Sequence, residues 1–158
     1  MPKVSVIVLN WNGRKFLKNC LGSLQKLTYS QTEIIVVDNN STDGSQKFVK
    51  KNYPKVILIA NKENYGFAKG NNIGFHRSSG EYVMFLNNDT VVAPNFLEPL
   101  VSDLKRDSKI GCIQPQMRVM KDKELIDEVG SFITFTGFLY HYGYRKNYKL
   151  EKYNKKKD

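Results

Sequence analysis

The stretch Gly80-Glu81-Tyr82-Val83-Met84-Phe85-Leu86-Asn87-Asn88-Asp89-Thr90 decides how this chain is to be read. A turn glycine leads into the continuous apolar run Tyr82 to Leu86, the pattern of a strand covered on both faces inside an α/β sheet. The run breaks off in three consecutive polar residues, Asn87, Asn88 and Asp89. In open sheets of that class ligands sit beyond the carboxyl ends of the strands, so these side chains are expected at a binding crevice. A carboxylate fixed by a rigid strand is well placed to hold a divalent cation, which can in turn neutralise a diphosphate. Taken alone, Asn-Asn-Asp reads equally well as a turn followed by a helix cap.

Working back from this strand, Gly66, Gly70 and Gly74 fall four apart in Asn64-Tyr65-Gly66-Phe67-Ala68-Lys69-Gly70-Asn71-Asn72-Ile73-Gly74-Phe75 and line one face of a helix. Each interior glycine costs about 1 kcal/mol relative to alanine, so something must need the bare face. Close packing on the sheet and close approach to a ligand are both open uses. Further back lie three strand patterns, Val4–Leu9, Glu33–Val37 and Val56–Ala60. A helix carrying Phe16, Leu17, Cys20, Leu21 and Leu24 separates the first two, and a shorter one with Phe48 and Val49 follows the second. The β-α-β-α-β order predicts a parallel sheet with right-handed crossovers. Beyond Asp89, Pro94 is expected to open a helix with Phe96, Leu97, Leu100, Val101 and Leu104 inward. Ile110–Gln114 reads as a further strand, and Phe132–Tyr144 as irregular strands and loops.

A length of 158 residues gives room for one domain with a proper core. A 41% hydrophobic and 25% charged composition is that of a soluble globular protein, no apolar run is long enough to span a bilayer, and Met1-Pro2-Lys3-Val4 runs straight into the first strand pattern with no apolar signal-peptide region; a cytoplasmic location is expected. Cys20 and Cys112 have no metal-ligand spacing and are expected as small buried apolar residues, without a disulfide. The net charge of +10 is uneven: Arg145–Asp158 holds seven basic residues against two acidic ones, half the excess. The domain is therefore placed at 1–144, with 145–158 as a basic, poorly ordered tail. Such a tail is a solvated end, a contact for anionic lipid at the inner membrane face, or a nucleic-acid contact; the last is weakest, because the charge is confined to the tail.

Four blocks in order, Val4–Asn12, Val36–Ser45, Asn64–Gly74 and Leu86–Thr90, resemble family-two glycosyltransferases of the GT-A fold. The nearest likeness is to rhamnosyltransferase-like members, which often carry Asn-x-Asp in place of Asp-x-Asp. The resemblance covers about the first 115 residues and implies a Rossmann-like, mostly parallel sheet with helices on both faces. It also implies transfer of a sugar from a UDP-, dTDP- or GDP-linked donor to a hydroxyl on a glycan or lipid-linked acceptor, in cell-surface polysaccharide or glycan synthesis. By this likeness Leu9 contributes backbone contacts to the base and Trp11 stacks on it, while Trp11 as a core aromatic stays open. Asp38 and Asn39 would read the base edge; many relatives have a second aspartate at the place of Asn39, so the base is left undecided. Gly66 and Lys69 would meet phosphate at the helix start, Asn72 would lie near the ribose or diphosphate, and Asn87 and Asn88 near the ribose and donor sugar. Asp89 would bind Mg²⁺ or Mn²⁺, stabilising the departing nucleoside diphosphate. Asp43 reads as a loop or helix-cap residue.

Relatives of this kind use a further carboxylate to deprotonate the acceptor. No acidic residue downstream of Asp89 stands in a matching context, and His76 and His141 read as structural. The chain thus looks like the donor-binding half of an inverting transferase, with two alternatives: a binding module without turnover of its own, and a sugar nucleotidyltransferase. The latter wants a glycine-rich loop after the first strand, where Asn10-Trp11-Asn12-Gly13 offers one glycine.

Overall fold

The computed structural model describes residues 1–150 and Tyr153. The backbone divides into two compact units, Met1–Val101 and Ser102–Asp158, each taken by itself below. The first contains β1 (Val4–Asn10), α1 (Arg14–Leu24), β2 (Thr32–Asp38), α2 (Ser45–Asn52), β3 (Ile57–Ala60), α3 (Gly66–Arg77) and β4 (Tyr82–Asn87). The four strands form one parallel sheet in the order β3-β2-β1-β4. This is the α/β architecture that the β-α-β-α-β pattern predicts.

The handedness rule explains the layers. Passing from β1 through β2 to β3 the chain moves one way across the sheet, and right-handed crossovers leave α1 and α2 on one face. There Leu17, Cys20, Leu21 and Leu24 of α1 and Val49 of α2 pack with Val4, Val6, Val8 and Val36. From β3 the chain must return past β2 and β1 to reach β4, so α3 crosses the opposite face, over Ile7, Ile35 and Val37. The switch in direction falls between β1 and β4.

The glycine stripe is resolved by this packing. A Cβ on Gly74 would stand 2.5 Å from Ile7 Cγ2 and 3.0 Å from Val37 Cγ2, and one on Gly70 would stand 2.5 Å from Leu9 Cδ1. Both glycines let α3 lie close on the sheet. Gly66 meets nothing within 4 Å; it is needed for its φ of +73° at the helix entrance.

Two expectations for this part are corrected. β4 is an edge strand of the sheet and is covered on its second face only at its start: Tyr82, Met84 and Leu86 pack on one side of the core and Val83 on the other, whereas Phe85, on the same face as Val83, is 53% exposed. The reason is that α3 lies across β1 and β2. Pro94 does not open the next helix, α4 (Leu97–Arg106); it sits in the preceding turn, and Pro99 occupies the first helical turn, where its missing N–H costs nothing. The division between the two units falls inside α4.

The second unit contains β5 (Met117–Val119) paired antiparallel with β6 (Asp122–Glu128), and β7 (Gly130–Ile133) paired antiparallel with β8 (Leu139–Tyr142). Ile126 is fully buried, and the Tyr142 and Tyr153 rings meet edge-on at 5.1 Å. Ile110–Gln114 is not a strand, and Cys112 is exposed where a buried thiol was expected; an apolar run with no neighbour to pair with stays irregular. Cys20 is buried as expected. Arg145–Leu150, the start of the expected tail, is tied to β6: the Ile126 amide donates to the Lys146 carbonyl, Arg145 to that of Ile126, and Tyr148 to that of Glu124. The remainder of that tail, apart from Tyr153, lies outside the described residues.

Candidate functional site

At the switch point the carboxyl ends of β1, β2 and β4 and the start of α3 enclose a cleft of about 340 Å³. It is lined by Leu9 and Trp11 after β1, Asn39 after β2, Asn64, Gly66 and Phe67 at the entrance of α3, and Asn87, Asn88 and Asp89 after β4. Parallel registry aligns these ends: Leu9 stands opposite both Val37 and Asn87. Seven of the ten residues singled out from sequence are thereby brought together, and a crevice at this point of a doubly wound sheet is where such folds bind ligands.

Trp11 is 59% exposed, so it is not a core aromatic. Its loop is clamped to the β2–α2 loop: Asn12, at φ +48°, accepts the Thr42 amide at 2.8 Å, and the Asn12 amide donates to Ser41 Oγ at 2.8 Å. Asp43 stiffens the same junction by capping two helices at once, accepting the Arg14 amide at 2.8 Å and the Ser45 amide at 3.0 Å. Burial pushes the Asp43 carboxyl up, but the hydrogen bonds from Ser45 and Arg14 outweigh it and its pKa is lowered. The cap role expected of Asp43 is what the geometry shows.

Asp38 is 1% exposed and does not line the cleft. Its Oδ2 accepts Asn10 Nδ2 at 2.8 Å, and its Oδ1 accepts the Ser41 amide and Gln46 Nε2, both at 2.8 Å. It organises the site from beneath. The link upward runs through Asn10, which was not among the residues singled out from sequence: Asn88 Nδ2 donates to Asn10 Oδ1 at 2.8 Å, so Asn88 in the cleft is tied to Asp38 through one buried amide. A side chain on Gly13 would collide with both ends of that Asn88–Asn10 bond. The only forward signal was the polar Asn10 ending an apolar strand.

Asn39 lines the cleft with both ends of its amide engaged: Nδ2 donates to Asn64 Oδ1 and to the Gly66 carbonyl, each at 3.0 Å, and Oδ1 accepts Asn61 Nδ2 at 2.8 Å. Lys69 and Asn72 are exposed on α3 and are not among the lining residues; the Lys69 ammonium rests 3.8 Å from the centre of the Tyr65 ring. Phe67, 67% exposed and missed by sequence reasoning, offers a second aromatic face beside the cleft.

Asp89 is the one carboxylate that lines the cleft among the described residues. Its charge is felt by Cys20, whose thiol is pushed up to about 12 by burial first and by Asp89 second. Among the described residues no three acidic, histidine or cysteine side chains gather as a closed metal cage. The donor set is one carboxylate with neighbouring amide oxygens. That suits a hard divalent cation which takes one or two protein carboxylates and completes its shell with phosphate and water. Glu128 and His141, in the second unit, hydrogen-bond at 3.0 Å, but Ser131 contacts the same His141 Nδ1 and leaves no relay through the ring.

The sequence model of "Glycosyl transferase family 2" matches residues 5–157. The chain belongs to glycosyl transferase family 2. It is 30% identical over 126 residues to an uncharacterized glycosyltransferase of Haemophilus influenzae, covering 78% of this chain and 39% of that one. It is 35% identical over 100 residues to glycosyltransferase GlyA of Streptococcus pneumoniae, covering 62% of this chain and 14% of that one. Among solved structures, S. aureus TarS 1-349 in complex with UDP superposes with a TM-score of 0.61 at 28% identity, over 66% of this chain and 32% of that TarS fragment. The mannosyltransferase PcManGT of Pyrobaculum calidifontis, in complex with GDP-Man and Mn²⁺, gives 0.62 at 26%, over 74% of this chain and 34% of that one. The chain thus spans well under half the length of these family members.

Proposed function

We propose that this chain is the donor-binding part of a glycosyltransferase that moves a sugar from a nucleoside diphosphate to a hydroxyl acceptor, with inversion, in glycan synthesis at the cytoplasmic side of a membrane. The observation that carries this is the cleft at the sheet's switch point, which joins Trp11, Asn39 and the Asn87-Asn88-Asp89 strand end. Nucleotide complexes of TarS and PcManGT support the donor class. In this reading Trp11 stacks on the base, Asn39 and its amide network fix the floor on which base and ribose rest, and Asn87 and Asn88 hydrogen-bond ribose or sugar hydroxyls. Asp89 holds Mg²⁺ or Mn²⁺, which supplies charge neutralisation to the leaving diphosphate. Asn88 is kept in place through Asn10 and Asp38, so binding needs little reordering.

Calorimetry with UDP, dTDP and GDP, with and without Mn²⁺, tests the proposal. One of the three should bind at least about tenfold more tightly with the metal, and Asp89→Ala should abolish that difference. Binding indifferent to both metal and Asp89 refutes it. A second reading, a donor-binding module without turnover of its own, is favoured by one fact: among the described residues no cleft-lining side chain besides Asp89 is a carboxylate able to take the acceptor's proton. Transfer assays on this chain and on a longer one separate the two.

A further inference from the structure

Consecutive residues of the β1–α1 loop serve two different hollows. Trp11 lines the cleft, whereas Asn12 lines a hollow of about 580 Å³ together with Arg14, Lys15, Lys18, Asp43 and Phe48. Three cations and one carboxylate border this second hollow, but the carboxylate is taken. Asp43 accepts the Arg14 amide on Oδ2 and the Ser45 amide and hydroxyl on Oδ1. Among the described residues no carboxylate lies at ion-pair distance from Arg14, Lys15 or Lys18. The Arg14 guanidinium stands 5.9 Å over the Phe48 ring and the Lys15 ammonium 4.7 Å over Phe16. The charge extends along both helices: α1 and α2 carry six cations (Arg14, Lys15, Lys18, Lys47, Lys50, Lys51) and no acidic residue. Phe16 is 41% exposed in their midst.

We propose that the α1–α2 face docks this chain on an anionic lipid bilayer, with phosphodiester headgroups received by Arg14, Lys15 and Lys18. An uncompensated positive face is complementary to such a surface. An aromatic ring set among the cations suits the headgroup boundary, where an apolar body and wet neighbours coexist. The proposed surface is built from α1 and α2 residues alone and does not draw on the basic residues after Tyr144. Because Trp11 and Asn12 are adjacent, docking holds the cleft's mouth near the lipid, where a lipid-linked acceptor would present its hydroxyl; that consequence alone rests on the donor-binding proposal.

Co-sedimentation of the whole chain with phosphatidylcholine vesicles, with and without phosphatidylglycerol, tests the docking. The chain should bind the anionic vesicles only, and less as salt rises. Lys15→Gln/Lys18→Gln should weaken binding about 30-fold, as expected for removing two cations from an anionic surface. Lys55→Gln/Arg77→Gln, which removes the same charge away from the hollow, should weaken it less than about threefold, since only screened long-range attraction is lost. Equal losses in the two pairs, full binding by the first pair, no preference for anionic vesicles, or tighter binding to RNA at equal phosphate concentration would each overturn the proposal. Nucleotide affinity of the same variants reads the cleft separately, so a failure of one reading is distinguishable from a failure of the other.

Discussion

Replacing Gly74 by alanine sets two opposed effects against each other at one position. In an isolated helix the change is favourable by about 1 kcal/mol, because glycine has more backbone freedom to lose. Here the added methyl carbon would lie 2.5 Å from Ile7 Cγ2 and 3.0 Å from Val37 Cγ2. Ile7 and Val37 are both fully buried, and the contacted atoms are branch methyls on stiff side chains of central strands. They have nowhere to go, so α3 must lift from the sheet, at the upper end of the roughly 1–3 kcal/mol that overpacking costs. The net expectation is a loss of about 1–2 kcal/mol, read as a lower urea midpoint with an unchanged slope and a Tm lower by several degrees. Nucleotide affinity should be unaltered at temperatures where the variant is folded, since Gly74 lies two turns below the cleft. Gly70→Ala makes the contrast. Its methyl would press on Leu9 Cδ1 and on the Asn39 amide, both of which line the cleft, so nucleotide affinity should fall along with stability. A Gly74→Ala protein as stable as the parent, or more so, would show that the glycine stripe is not there for packing.

Two further outcomes are expected. Trp11→Ala should weaken nucleotide binding by about 1–3 kcal/mol, the worth of one base stacked on an aromatic ring. Since Trp11 is 59% exposed, the melting temperature should stay nearly constant; a loss of stability without a loss of affinity would instead mark Trp11 as a packing residue. Glu33 should shape the acid limb of stability. Burial opposes ionisation there, but Lys3, Ser5 and Ser79 outweigh it and lower the pKa to about 2 from an unfolded value of 4.5. The folded state binds fewer protons, so this contribution is fully present above about pH 4.5 and is lost as pH falls toward 2. It amounts to about 2 kcal/mol after discounting for the exposure of Lys3. Glu33→Gln should flatten the stability profile between those limits, and an unchanged profile would refute the assignment.

Much of this protein was legible before folding was considered. The alternation of β-branched runs with amphipathic stretches fixed the strand and helix order, because each periodicity is a local property of the chain. The polar endings Asn10-Trp11-Asn12, Asp38-Asn39 and Asn87-Asn88-Asp89 marked the ligand rim, because a parallel sheet places all its carboxyl ends on one side. What could not be read is whatever depends on which side chain faces which neighbour. Asp38 and Asn39 are adjacent in sequence, yet the first is consumed by Asn10, Ser41 and Gln46 beneath the site while the second borders the cleft. Lys69 and Asn72 lie on the same helix as Gly66, but the helix rotation that seats Gly70 and Gly74 on the sheet turns them to solvent. Asn10 acquired its role only when β4 came to lie beside β1 and brought Asn88 to its amide. The sequence by itself determined the elements and the rim; long-range pairing decided which polar groups were spent on one another and which were left for a ligand, because a hydrogen bond across 78 positions exists only in the folded chain.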